Sequence, residues 1–122
     1  MEYMLLLHGD ESAYASMSEA EQKGAFEAFM AYNKELAAAG VLRGGSELAP
    51  SPTATVVRGR VGDVLVTEGP FTESREQIGG YYVLDVPGRD EAVAWAKRCP
   101  ILFGGGAVEV RAVGTVPEEL GS

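Results

Sequence analysis

Two short runs constrain this chain most, because each is apolar on both faces of a strand: Leu5-Leu6-Leu7 near the start and Tyr81-Tyr82-Val83-Leu84 further along. Successive side chains of a strand point to opposite sides of its sheet, so a run without alternation needs cover on both sides. Glu2 to His8 therefore reads as a central strand closed by the turn-forming Gly9-Asp10, and Gly79 to Val86 as a second one, stopped by Pro87-Gly88. Helices of the same chain can cover one face. The other has to be covered from elsewhere, and a second copy related by a two-fold axis does this.

The segments around these strands supply the helices. Ser18 precedes Glu21 at capping-box spacing, and Phe26, Phe29, Met30, Leu36 and Ala37 then mark one amphipathic helix that ends at Gly40. Val41-Leu42-Arg43 opens a strand that Gly44-Gly45 lets bend. After the breakers Pro50 and Pro52, Thr55-Val56-Val57-Arg58 and Val64-Leu65-Val66-Thr67 read as a hairpin about Gly62-Asp63, expected to extend the main sheet. Asp90 is placed to cap a short helix carrying Ala92, Val93, Trp95 and Ala96, which Pro100 stops. Ala107 to Val116 reads as a last strand, with Val108, Val110 and Ala112 inward and Glu109 and Arg111 outward. The expected fold class is α+β: a ferredoxin-like βαββαβ with a hairpin insert, its sheets packed face to face in a dimer, as a single domain over residues 1–122.

Composition narrows the function classes. A formal charge of -8 opposes binding to nucleic acid backbones and anionic membranes, which draw on lysine and arginine. Met4-Leu5-Leu6-Leu7 is too short for a signal segment and has no basic flank, and no apolar run reaches the length of a membrane span, so a cytoplasmic protein is expected. Cys99 is the one cysteine and His8 the one histidine. No intrachain disulfide or thiolate cluster can form, and neither a metal nor a cofactor is expected.

Glu68-Gly69-Pro70-Phe71-Thr72-Glu73-Ser74-Arg75-Glu76-Gln77-Ile78-Gly79-Gly80-Tyr81-Tyr82, followed by Trp95-Ala96-Lys97-Arg98-Cys99-Pro100, resembles the signature of the DGPF branch of the YCII-related family. Tyr3-Met4-Leu5-Leu6-Leu7, Gly9-Asp10-Glu11, Gly44-Gly45 and Glu47-Leu48 extend the likeness over most of the chain. The resemblance implies a dimeric α+β barrel but brings no established activity for this branch. Smaller YCII relatives are described as enzymes through a His and Asp pair in a cleft, one of them a dehydrochlorinase. Here Cys99-Pro100 stands in place of their Asp-Pro and the first helix has no histidine, so that pair is not carried over. Glu68 replaces the branch's leading Asp. Members of the branch also occur beside extracytoplasmic-function sigma factors, which implies a regulatory pathway.

The candidate catalytic residues are His8, Asp10 and Glu68. Histidine is the residue type that titrates near neutrality, and the neighbouring carboxylates Asp10 and Glu11 can orient its ring. The plainer reading is a strand-end histidine at a dimer surface. Gly69-Pro70 invites a turn that directs Phe71 inward and sets Glu68, Thr72 and Glu73 at a loop mouth, where two carboxylates can divide acid and base roles or serve only the turn. Candidate ligand-binding residues are Arg58, Glu73, Tyr81 and Tyr82. The two tyrosines point to opposite faces, so at most one can face a given cleft, and either can instead pack in a core. Arg60 and Arg75 join Arg58 as cations near the loop. Gly79-Gly80 and Gly104-Gly105-Gly106 lack phosphate-loop spacing, and Cys99 reads as a buried, inert thiol. Two readings stand: a small-molecule enzyme or ligand-binding homodimer with a polar pocket near the signature loop, or a non-catalytic dimeric module that binds a regulatory partner.

Overall fold

The computed structural model of the chain describes residues 1–114. These run as β1 (Glu2–Asp10), α1 (Glu11–Ala15), α2 (Glu19–Ala38), β2 (Leu42–Glu47), β3 (Thr55–Arg60), β4 (Asp63–Glu68), β5 (Glu76–Asp85), α3 (Arg89–Ala96) and β6 (Ala107–Ala112), with 3₁₀ turns at Ser51–Thr53 and Pro100–Gly104. Strands β2, β5, β1 and β6 lie side by side in that order, each antiparallel to its neighbours. With the β3–β4 hairpin set aside, this is the ferredoxin-like βαββαβ topology.

The two doubly apolar runs occupy the two central strands and pair directly, Leu5 opposite Tyr82 and Leu6 opposite Tyr81. Tyr3, Leu5, Leu7, Tyr82 and Leu84 form one face of the sheet and meet Tyr32 and Leu36 of α2, Ala92 and Ala96 of α3, and Cys99. Leu5, Leu36, Leu84 and Cys99 are fully buried, and each such leucine contributes roughly 1.5–3 kcal/mol through removal from water. Met4, Leu6, Tyr81 and Val83 alternate onto the opposite face, where they are half-buried and no element among the described residues covers them.

Helix α2 starts at the expected capping box: Glu21 N donates to Ser18 Oγ at 3.1 Å and Ser18 N donates to Glu21 Oε1 at 3.0 Å. It stops at Gly40, whose φ of +73° suits a residue without a side chain. Its packed stripe is Phe29, Tyr32 and Leu36. Phe26 and Met30, expected on the buried face, are 64% and 43% exposed, because at about 100° per residue Met30 falls more than a quarter turn from every residue of that stripe and Phe26 lies beyond its edge at Phe29.

Several other expectations are corrected. The hairpin does not extend the main sheet: β3 and β4 pair only with each other, from Thr55 opposite Glu68 to Arg60 opposite Asp63. Pro50 and Pro52 set the 3₁₀ turn at one foot and Gly69-Pro70 redirect the chain at the other, and Gly69 N donates to Ala54 O at 2.7 Å to pinch the feet together. Phe71 does not enter the core. It is 74% exposed, with the Arg58 guanidinium 4.9 Å above its ring, since the turn throws it toward the hairpin. Gly88, not Asp90, holds the cap position of α3, and Asp90 lies in its first turn, where its charge suits the helix dipole. Strand β6 ends at Ala112; the continuation expected over 115–116 lies outside the described residues.

Candidate functional site

Strand β1 runs beyond His8 to Asp10, its register with β5 shifting by one at Leu7/His8 where Gly79 is the extra residue, and Asp10 caps α1, a five-residue helix that the sequence pattern did not suggest. Ser12 donates to Asp10 Oδ1 through its amide at 2.9 Å and its hydroxyl at 2.6 Å. Those two hydrogen bonds hold the Asp10 carboxyl below its usual range, so it is anionic at neutral pH. Glu11 beside it accepts from Ser51 N at 2.7 Å and from the Ser51 hydroxyl, which ties the end of β1 to the 3₁₀ turn at the foot of the hairpin.

The signature loop faces these groups. Gln77 Nε2 donates to Thr72 O at 2.7 Å and Ser74 O at 2.8 Å, and Ser74 N and Oγ close the turn on Thr72 and Glu76. The loop so formed leaves an open cleft of about 580 Å³ between α1 and itself, lined by Asp10, Glu11, Ser51, Glu68, Glu73 and Arg75 among others. Glu68, at the end of β4, accepts from Thr55 Oγ1 at 3.2 Å. Arg75 is the cation of the cleft and its charge also favours ionised Asp10. A set dominated by carboxylate and hydroxyl oxygens accepts hydrogen bonds, so the cleft suits a ligand rich in O–H or N–H donors.

The residues singled out from the sequence are thus divided. Asp10, Glu68 and Glu73 share the cleft. His8 does not line it: its ring lies on the uncovered face of the sheet, with Nε2 3.0 Å from Glu109 Oε1 of β6. Tyr81 is on that same face, directly across β1 from Glu109, since both are opposite Leu6. Tyr82 is buried under α2, its hydroxyl donating to Asn33 Oδ1 and its ring edge-on to Tyr32 at 5.5 Å; desolvation pushes its pKa up to about 12. Arg58 sits on the exposed hairpin over Phe71. Cys99 is fully buried and desolvation raises its thiol pKa. Among the described residues no three His, Cys, Asp or Glu side chains gather as a metal site, and no helix is long and apolar enough to cross a membrane.

Sequence reasoning missed Glu11, Ser12 and Ser51 as a unit, and Glu109 as the partner of His8. A Ser two residues after Asp10 was the available signal for an Asx cap. Nothing local could link positions 8 and 109, which meet only through the β1–β6 register.

The model of the YCII-related domain family matches residues 1–116. The chain belongs to the YCII-related family. A curated relative, an uncharacterised protein of Rhizobium meliloti (strain 1021), is 32% identical over 97 residues, covering 80% of this chain and 78% of the relative. Among solved structures, the 5-chloro-2-hydroxyhydroquinone dehydrochlorinase of Burkholderia phenoliruptrix AC1100, in complex with 2,5-dihydroxybenzoquinone, superposes with a TM-score of 0.55 over 95% of this chain and 96% of that one. At 14% identity this likeness concerns the fold of the YCII-related chain.

Proposed function

We propose that this YCII-related protein is a homodimeric small-molecule-binding protein or enzyme whose ligand sits in the cleft between α1 and the signature loop. The observation that carries the reading is the convergence of Asp10, Glu11, Glu68, Glu73 and Arg75 from separate segments onto one opening. A cleft with fixed acceptors and a single cation suits a small molecule bearing hydroxyl or amino groups, its charge or dipole oriented by Arg75. The dehydrochlorinase with the same fold, solved with a dihydroxylated ring compound, supports hydroxylated rings as a first class to screen. The half-buried apolar face of the sheet, with Met4, Leu6, Tyr81 and Val83, supports the dimer. A thermal-shift screen of hydroxylated and aminated ring compounds tests the site: a hit should lose its shift in Glu73→Gln and Glu68→Gln variants. A hit unaffected by both removes the cleft from consideration.

A second reading, a module that binds a regulatory partner, draws on the hairpin. Val57, Val64 and Val66 of β3 and β4 are 64%, 56% and 57% exposed, and an isolated two-stranded hairpin with apolar side chains in water is a candidate for protein contact. Co-purification from native cells distinguishes the readings, since a stoichiometric protein partner that survives loss of the cleft carboxylates favours the second.

A further inference from the structure

The uncovered face of the main sheet carries a second constellation, none of whose residues lines the cleft. Glu109 bridges two groups on this face: His8 Nε2 lies 3.0 Å from Oε1 and Arg111 Nε lies 2.7 Å from Oε2. Arg111, and after it His8, hold the Glu109 carboxyl below its usual range, so it is an anion that only accepts. The Nε2 atom of His8 must then carry the proton of their shared hydrogen bond, and in the neutral ring Nδ1 holds the free lone pair. No donor or acceptor among the described residues meets that lone pair. A base oriented by a carboxylate, itself fixed by a third group, is the arrangement that acid–base chemistry requires.

The surroundings define what such a base can reach. Leu6 lies between Glu109 on one neighbouring strand and Tyr81 on the other, and Met4 and Val83 continue the apolar floor. The Tyr81 hydroxyl has no partner among the described residues and faces the same side. Side-chain exposure rises outward along the polar row, from 26% at His8 to 38% at Glu109 and 70% at Arg111. Strand β6 is an edge of the sheet, so a second copy laid over the central strands covers Leu6 and Tyr81 while leaving Arg111 at a mouth. Dry burial of a carboxylate, a guanidinium and an imidazole is costly, which favours a partly wet chamber at this side of the interface.

We propose that His8, positioned by Glu109 and Arg111 and roofed by the second copy, is an acid–base group for a small weak acid with an apolar body. This rests on the homodimer reading given above but not on the cleft. In the step it performs, Nδ1 takes the proton from an O–H of the ligand, the bonding pair stays on that oxygen, and the imidazolium so formed is stabilised by Glu109. Arg111, engaged through Nε, has its terminal nitrogens to meet the resulting anion, and Tyr81 can donate to it from across Leu6. Tyr81 and His8 are the ligand-contacting residues; Glu109 and Arg111 are positioning residues.

The protein titrated with 4-nitrophenol tests the proposal, because the phenolate is coloured and the chain has one histidine, whose ring signals are therefore unambiguous in NMR. The expected result is saturable phenolate formation on the protein in excess of free solution at the same pH, with matching movement of the His8 ring signals. His8→Ala should lose the excess while keeping dimer mass and circular dichroism, and Glu109→Gln should weaken it about tenfold, the value of one charge-assisted hydrogen bond. Glu73→Gln in the cleft should leave it unchanged. The proposal is overturned if the ring signals stay fixed at saturation, if His8→Ala retains the phenolate excess, or if light scattering shows a monomer under the same conditions. Loss of binding in Glu73→Gln with retention in His8→Ala would place the probe in the cleft and refute this site while sparing the other.

Discussion

Tyr82 donates its hydroxyl to Asn33 Oδ1, so the strand residue that the sequence offered as a ligand contact is instead a strut between β5 and α2. Its ring stands edge-on to Tyr32, which in turn stands edge-on to Trp95 at 6.3 Å and donates to Trp95 O at 2.8 Å. The chain of contacts joins α2 and α3 to the sheet, and both phenol hydroxyls find an acceptor, as buried phenols must.

Tyr82→Phe keeps the ring packing and removes only the hydroxyl, leaving Asn33 short of a donor. The expected cost is about 1–2 kcal/mol of stability, with unchanged ligand response at either proposed site. Chemical denaturation followed by circular dichroism checks the first part, and the thermal-shift hits the second. A variant as stable as the parent would show that Asn33 is satisfied by water.

Alkaline pH should weaken the fold through the same residue. The folded-state pKa of Tyr82 is raised by desolvation from 10.0 to about 12, so the neutral phenol is favoured in the native state. Its contribution is fully present below pH 10 and is lost as pH rises toward 12, when the unfolded chain ionises and the folded one resists. Tyr32 and Cys99 shift in the same direction by desolvation and add to the loss. Urea midpoints measured from pH 8 upward should fall across this window, and Tyr82→Phe should make the fall shallower. Parallel profiles for the two proteins would sink the assignment.

In the cleft, Glu11 and Ser51 are the joint between β1 and the foot of the hairpin. Glu11→Ala frees the Ser51 turn and lets Glu68 and the signature loop drift from Asp10. Because the joint is half-buried, the expected effect on stability is small, about 1 kcal/mol. Ligand response should suffer more, and hydrogen exchange should quicken at Ser51 and Gly69. Equal losses in stability and binding would mean that the joint serves only the fold.

What could be read from sequence and what could not follow from the range of the interactions. The central strands, the Ser18–Glu21 capping box and the Gly40 stop were legible because they depend on neighbours two to four residues away. Phe71, Asp90 and the placement of the hairpin were misread because turn geometry at Gly69-Pro70, the cap at Gly88 and the pinch between Gly69 and Ala54 override local pattern. For the candidate sites, adjacency suggested that His8 and Asp10 act together. The β1–β6 register and the start of α1 give them different neighbours instead, His8 meeting Glu109 and Asp10 meeting Ser12.

The uncovered sheet face makes the oligomer testable by a single change. Leu6→Glu or Val83→Lys places a charge among Met4, Tyr81 and each other's position, which a face-to-face interface cannot desolvate without large loss. Multi-angle light scattering should give a dimer for the parent and a monomer for each variant, with retained secondary structure. A parent that is monomeric at high concentration, or variants that remain dimeric, would show that another surface pairs the chains.

Gly106 offers the sharpest steric prediction. A methyl group there would lie 2.6 Å from Ile101 Cγ1, 2.7 Å from His8 O and 2.8 Å from Ile101 O. Two of those three atoms are backbone, and one of them belongs to the strand that carries His8, so relief requires β1 or the Pro100–Gly104 turn to move. Gly105, with φ of +83°, already uses the left-handed conformation that closes that turn, leaving no slack next door. Gly106→Ala should therefore cost about 1–3 kcal/mol and displace the His8 ring from Glu109. Denaturation midpoints report the first effect and the lone histidine's NMR signals the second. A stable Gly106→Ala protein with unmoved His8 signals would mean that the turn yields without disturbing β1, and that the triple-glycine segment is a passive loop rather than a close-packed brace for the sheet.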